Sequence, residues 1–170
     1  MRRMRKEYAR LRRRPFLMPL WLPVIAVVAA ILFAAWLVVS ASTTLVLVVR
    51  HAEAEIGRGD DPALSAAGEA RAQRLAALMT AASGFAPDGI VVSGLRRSGE
   101  TARPLAAALS VPVVAVESRD PRVVVKRALA EFRGRRVLIV GHSDTVPAIV
   151  ERLARQRVPA MSASEHGTLY

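Results

Sequence analysis

Leu45-Val46-Leu47-Val48-Val49-Arg50-His51-Ala52-Glu53 is the stretch whose reading decides the fold. Five consecutive branched aliphatics are too few for a helix of ordinary length. Bounded by Ser42-Thr43-Thr44 before and by the Arg-His step after, they predict a buried strand. In an open parallel sheet the ligand crevice lies at the carboxyl ends of the strands, which puts Arg50 and His51 where such a fold does its chemistry. Val137-Leu138-Ile139-Val140-Gly141-His142-Ser143 has the same grammar, so two of the chain's three histidines stand at the ends of two buried strands.

Outward from this strand the chain alternates. Ser65 is a candidate N-cap for a helix from about residue 66 to 82, with Leu75, Leu78 and Met79 on its apolar stripe and Ser83-Gly84 closing it. Gly89–Ser93 reads as a strand, 98–109 as a helix, and 111–116 as a strand whose Pro112 suits a start or an edge. A helix over 122–132, the strand ending at His142 and a helix over 146–155 complete the series. Strand and helix in alternation predict an α/β fold, a three-layer α/β/α sandwich with a mostly parallel sheet. In the loop after the first strand, the triplet Arg58-Gly59-Asp60 is read as chance in a Gly-rich turn, not as an adhesion motif.

At 170 residues the chain holds one ordinary domain plus an appendage, and its 52% apolar content suggests that part of it lives in lipid. Residues 16–40 carry no charge and at about 1.5 Å per residue reach across a hydrocarbon core of roughly 30 Å, with Trp21 and Trp36 toward the two ends. Pro15, Pro19 and Pro23 confine the first turns to an irregular or kinked start. A core helix would show a polar face, and a signal peptide has a shorter apolar region, although Ser40-Ala41-Ser42 resembles a cleavage site. The expectation is an uncleaved transmembrane anchor. Of the net charge of +11, most sits in the first fourteen residues, where eight Lys or Arg face Glu7 alone. That bias places a basic tail, residues 1–15, in the cytoplasm and the domain, residues 44–170, on the extracytoplasmic (periplasmic) side of the cell membrane. The charge is local, so the domain is not expected to bind nucleic acid. Absence of cysteine excludes disulfides and thiolate chemistry without fixing the compartment.

A phosphoryl group needs cations and fixed donors around its oxygens, and an in-line nucleophile where the reaction is covalent. Arg50 offers a planar fork for two oxygens. Ser93-Gly94-Leu95-Arg96-Arg97-Ser98 brings more arginine to the end of the second strand, beside a helix amino terminus that favours anions. His142 holds the matching place before the last helix, so topology converges two arginines and two histidines on one mouth.

From Leu45 onward the chain resembles the histidine phosphatase superfamily, the phosphoglycerate-mutase-like phosphatases, in a small, insertion-poor form. Arg50-His51-Ala52-Glu53 matches its Arg-His-Gly/Ala-Glu signature, and Leu64-Ser65-Ala66-Ala67-Gly68 its Leu-Ser/Thr-x-x-Gly helix start. Ser93 to Ala102 matches Ser-x-Leu-x-Arg-x-x-x-Thr-Ala, and Gly141-His142-Ser143 matches Gly-His-Ser. The resemblance implies that His51 is the nucleophile that becomes phosphorylated and that Arg50, Arg97 and His142 bind the transferred group. By motif register Arg97, not Arg96, is the pocket arginine. Water would then hydrolyse phosphohistidine with neither metal nor cofactor.

Two departures bear on function. The Glu-x-x-x-Gly context of the general acid found in many members is absent, which leaves Glu117, Asp120, Asp144 and Glu53 as carboxylates for protonating a leaving alkoxide. The family's further strand after the last helix is matched only by its approach, Glu165 to Tyr170, within which His166 reads as a loop residue. The expected activity is a metal-independent phosphomonoesterase acting on a phosphorylated small molecule, glycan or protein. The alternatives are a phosphohistidine or phosphoserine protein phosphatase, and a catalytically weak phospholigand-binding module.

Overall fold

The computed structural model describes residues 21–57, 59–82, 84–162 and 164–170. The basic tail, the start of the predicted span and Arg58 of the Arg-Gly-Asp triplet lie outside these residues. Two compact units are divided between Ala41 and Ser42. The first is described by a single helix, α1 (Trp21–Ser42), whose side chains from Trp21 to Val39 are all exposed. It is long and apolar enough to cross a membrane. It runs two residues beyond the predicted end at 40.

The second unit alternates β1 (Leu45–Arg50), α2 (Ala66–Ala81), β2 (Gly89–Ser93), α3 (Arg96–Leu109), β3 (Val113–Val116), α4 (Pro121–Glu131), β4 (Arg136–Gly141) and α5 (Thr145–Ala154). The four strands form one parallel sheet in the order β1-β4-β2-β3. Their side chains divide by the two-residue period of a pleated strand. Leu47, Val49, Ile90, Val92, Leu138 and Val140 pack with Ala76, Met79, Ala102 and Leu105 of α2 and α3. Val48, Val91, Val137 and Ile139 pack with Val124, Val125 and Ala128 of α4 and Val146 and Ile149 of α5. The result is the expected three-layer α/β/α sandwich around a parallel sheet.

Register aligns the strand ends. Arg50 lies opposite Gly141, Val140 opposite Val92, and Ser93 opposite Val116. The residues that follow, His51, His142, Gly94 and Glu117, therefore leave the sheet along one edge.

Two boundaries of the second unit differ from the sequence reading by two residues. Strand β3 begins at Val113 and not at 111, because the Val111 N–H still bonds Ala106 at the end of α3 and Pro112 has no N–H to give. Helix α3 begins at Arg96 and not at Ser98, since its first amide is capped by Asp61 from a distant loop. Beyond α5 the chain returns along β1: Leu169 bridges Val49 antiparallel, and Tyr170 and Val48 exchange backbone hydrogen bonds at 2.9 and 3.0 Å. The approach to a further strand is thus one antiparallel bridge in length among the described residues.

Candidate active site

His51 follows the last residue of β1, and its N–H donates to the Gly141 carbonyl at 2.9 Å, which pins it to the end of β4. The ring makes two contacts that fix its tautomer. Nδ1–H donates to the Ala52 carbonyl at 2.7 Å, and Arg97 Nε–H donates to Nε2 at 3.3 Å. A nitrogen that accepts from a guanidinium carries a lone pair, so Nε2 is the unprotonated nitrogen of the ring. The ring of His142 stands edge-on at 5.1 Å between centroids. His142 Nε2–H donates to Ser93 Oγ at 2.9 Å, and the Ser93 hydroxyl in turn donates to Ser98 Oγ at 2.8 Å. That leaves His142 Nδ1 buried without a partner.

Burial is the main reason both imidazoles lose basicity, each being pushed down to about 4. Repulsion adds to it, from His142, Arg97 and Arg50 for His51, and from Arg97 and Arg119 for His142. Both rings are neutral near pH 7.

Arg50 is nearly buried at the end of β1, and its Nη1 donates to the carbonyls of Ser162 and Glu165, each at 2.9 Å. Arg97 sits one residue into α3, and the Thr101 hydroxyl ties that turn to the site by donating to the Arg97 carbonyl at 2.7 Å and accepting the Ala52 N–H at 3.0 Å. The Leu-Ser-x-x-Gly helix start has a similar office. Ser65 caps α2 and also bonds the Glu53 carbonyl, and a Cβ on Gly68 would strike that same oxygen. Only glycine lets the helix close so tightly on the loop after His51.

The four acid candidates are placed differently. Glu53 is gripped by Arg71 through Nε and Nη2 at 2.6–2.9 Å, and this pairing holds its carboxyl down to about 2. A group so acidic carries no proton to donate at neutral pH, so the expectation for Glu53 is not supported. Asp120 caps α4 through the Arg122 N–H, and Asp144 pairs with Arg119 at 2.8 Å in solvent. Glu117 extends from the end of β3 over the backbone of Gly94, filling the space a side chain there would need. It alone of the four lies against the residue next to Ser93, on the His142 side of the mouth.

The sequence reading did not single out Ser93, Thr101 or His166. Ser93 and Thr101 lie inside quoted motifs, but their partners are 49 residues away. His166 is in a loop, as expected, yet its Nδ1–H donates to the His51 carbonyl at 3.0 Å and its ring lies 5.9 Å from that of His51. A cavity of about 340 Å³ adjoins Arg50, Ala52 and His166; His51, Arg97 and His142 do not line it, so it lies beside the constellation and shares only Arg50 of these four with it. Among the described residues no group of three His, Cys, Asp or Glu side chains is arranged to hold a metal ion.

A neutral imidazole whose Nε2 keeps its lone pair, two arginines, a second histidine and a helix amino terminus at the carboxyl edge of a parallel sheet suit an α/β protein to phosphoryl groups. The sequence of residues 46–119 matches the histidine phosphatase superfamily (branch 1). The match spans a little under half of the chain and, together with the fold and this site, supports a histidine-type phosphatase.

Among solved structures the chain is similar to a candidate phosphohistidine phosphatase SixA from Agrobacterium tumefaciens, with 27% identity, TM-score 0.54, and 64% of this chain and 75% of that one covered. It shares the fold of the protein histidine phosphatase SixA complexed with tungstate, with 20% identity, TM-score 0.61, and 69% and 81% covered. It likewise shares the fold of a mycobacterial glucosyl-3-phosphoglycerate phosphatase, with 18% identity, TM-score 0.53, and 68% and 80% covered. A search of curated proteins finds no match to this chain.

Proposed function

We propose that this protein is a metal-independent phosphomonoesterase that works through phosphohistidine at His51 and is anchored in the membrane by its amino-terminal helix. The observation that carries the reading is the His51 ring, with Nδ1–H committed to Ala52 and the Nε2 lone pair turned to Arg97. Nε2 attacks phosphorus and the bond to the leaving oxygen breaks, that oxygen taking a proton from the medium or from Glu117. Arg50 and Arg97 oppose the charge on the equatorial oxygens. His142 Nδ1, which has no partner within the protein, gains one once a phosphoryl dianion raises the proton affinity of its ring. Water then attacks phosphorus, the P–N bond breaks, and inorganic phosphate leaves neutral His51 behind.

The cationic tail before an uncharged span supports an amino terminus in the cytoplasm and a domain on the other side of the membrane. A second reading, dephosphorylation of a phosphohistidine protein, draws on the 27% identity to the SixA structure. Hydrolysis of an aryl phosphate in EDTA by the detergent-solubilised chain tests the main proposal. Wild type is expected to turn over and to yield an acid-labile phosphoenzyme, with both lost in His51→Ala. A folded protein that binds phosphate yet shows neither would instead be a phospholigand-binding module. Comparing phosphohistidine peptide with sugar phosphate as substrate separates the two enzymatic readings.

A further inference from the structure

Asp61 has no part in the chemistry above, yet it lies against the residues that would carry it. Both carboxylate oxygens accept the Arg96 N–H, at 2.9 and 3.0 Å, and Oδ1 lies 3.7 Å from Arg97 Nη1. The same guanidinium turns its Nε to His51 Nε2, so Arg97 is shared between the nucleophile and this carboxylate. Leu95, the residue at the N-cap of α3, supplies no side-chain cap, and Asp61, 35 residues before Arg96, supplies one instead. The loop that carries Asp61 there turns through Gly57 and Gly59, whose φ angles of 82° and 72° suit glycine.

The consequence is electrostatic. A bare helix amino terminus beside an arginine is a strong seat for a free oxyanion. Here both features already face a fixed negative charge. A dianion reaching Arg97 meets a guanidinium half-neutralised along one edge and a carboxylate that repels it. A phosphoryl group bonded to His51 is held covalently and tolerates this, whereas free phosphate is held by charge and hydrogen bonds alone. We propose that Asp61 is a resident counter-charge that weakens the hold of the pocket on free inorganic phosphate, so that product leaves Arg97 instead of occupying it. This rests on the reading of Arg97 as a ligand of the phosphoryl group, and it assigns Asp61 a positioning and affinity-setting role, not a chemical one.

The test is the affinity of the detergent-solubilised full chain for inorganic phosphate and for tungstate, by calorimetry, in wild type, Asp61→Asn, Asp61→Ser and Arg97→Ala. Asn and Ser keep an oxygen for the Arg96 N–H and remove the charge, so the helix cap survives in either and one serves if the other misfolds. The expected result is phosphate binding tightened about two- to five-fold in both neutral variants, the range of an exposed ion pair, with an unchanged unfolding temperature. The competitive inhibition constant for phosphate should fall by the same factor, and raised salt should shrink the difference. Unchanged or weakened phosphate binding in a folded neutral variant, with Arg97→Ala abolishing it, overturns the role of Asp61 and leaves the phosphatase reading standing. Binding that is indifferent to Arg97→Ala removes the premise and the proposal together.

Discussion

His51 is kept neutral by what surrounds it. Buried among cations, it holds a proton only below about pH 4, and so presents a free lone pair across the physiological range. His142 titrates in the same region. The acid limb of kcat/KM should therefore belong to the pair and break near pH 4, not near the 6.5 of a free imidazole. Stability follows the same shifts. Both groups have folded-state values below their unfolded ones, so the stability they bring is complete above pH 6.5 and drains away as pH falls through about 4. Thermal unfolding scanned from pH 7 to 4 should show this loss, and His142→Ala should lessen its slope. Ser93→Ala removes the acceptor of the His142 Nε2–H and leaves a buried donor unsatisfied, a cost of about 1–3 kcal/mol. The turnover number should drop about 5- to 100-fold with the fold intact by circular dichroism. At this scale the sequence showed Arg50, His51, Arg97 and His142 through motif order, because each lies beside a strand end that hydrophobic runs reveal. It did not show that Glu53 is spent on Arg71, since nothing local marks a partner 18 residues on. His166 was equally hidden, as its bond is to a carbonyl 115 residues away.

The elements matter through their ends. Helix α2 starts by clasping the loop that carries His51, with Ser65 on the Glu53 carbonyl and Gly68 pressed to the same atom. Gly68→Ala must push that loop away, and overpacking of this kind costs about 1–3 kcal/mol. The expected outcome is a lower unfolding temperature together with a reduced kcat, because the displaced carbonyl belongs to the residue after Ala52. Gly94→Ala offers a more selective probe, since the added methyl occupies the place of the Glu117 carboxylate. If Glu117 donates the proton, the variant should lose activity on alkyl phosphates while retaining it on aryl phosphates whose leaving groups need no acid. The start of α3 illustrates a limit of reading by pattern. Leu95 is a poor cap, so periodicity moved the start to Ser98, whereas the actual cap comes from Asp61 in another loop. Apolar runs fixed the strands to within two residues because burial is written locally; caps supplied through space are not.

For the whole molecule the governing feature is the pairing of β1 with β4, which sets Leu45 opposite Arg136 and Arg50 opposite Gly141. Alternation of strand and helix made the parallel sheet legible, but not the order β1-β4-β2-β3, because order depends on which face each crossing helix takes. The two halves of the site, His51 and His142, arrive on strands separated by almost the whole domain. Phosphate binding during refolding should accordingly appear only in the last phase, after helix formation seen by far-ultraviolet dichroism. During synthesis the first strand, five bare aliphatics, waits for about 90 residues of chain before its neighbour exists, roughly 5–20 s at ordinary translation rates. Through that interval it is an unpaired apolar edge, the kind of segment that seeks another strand to join. The newborn protein therefore depends on being shielded for longer than its small size suggests, and crowding of nascent chains, more than any weakness of the finished fold, is where its yield would be lost.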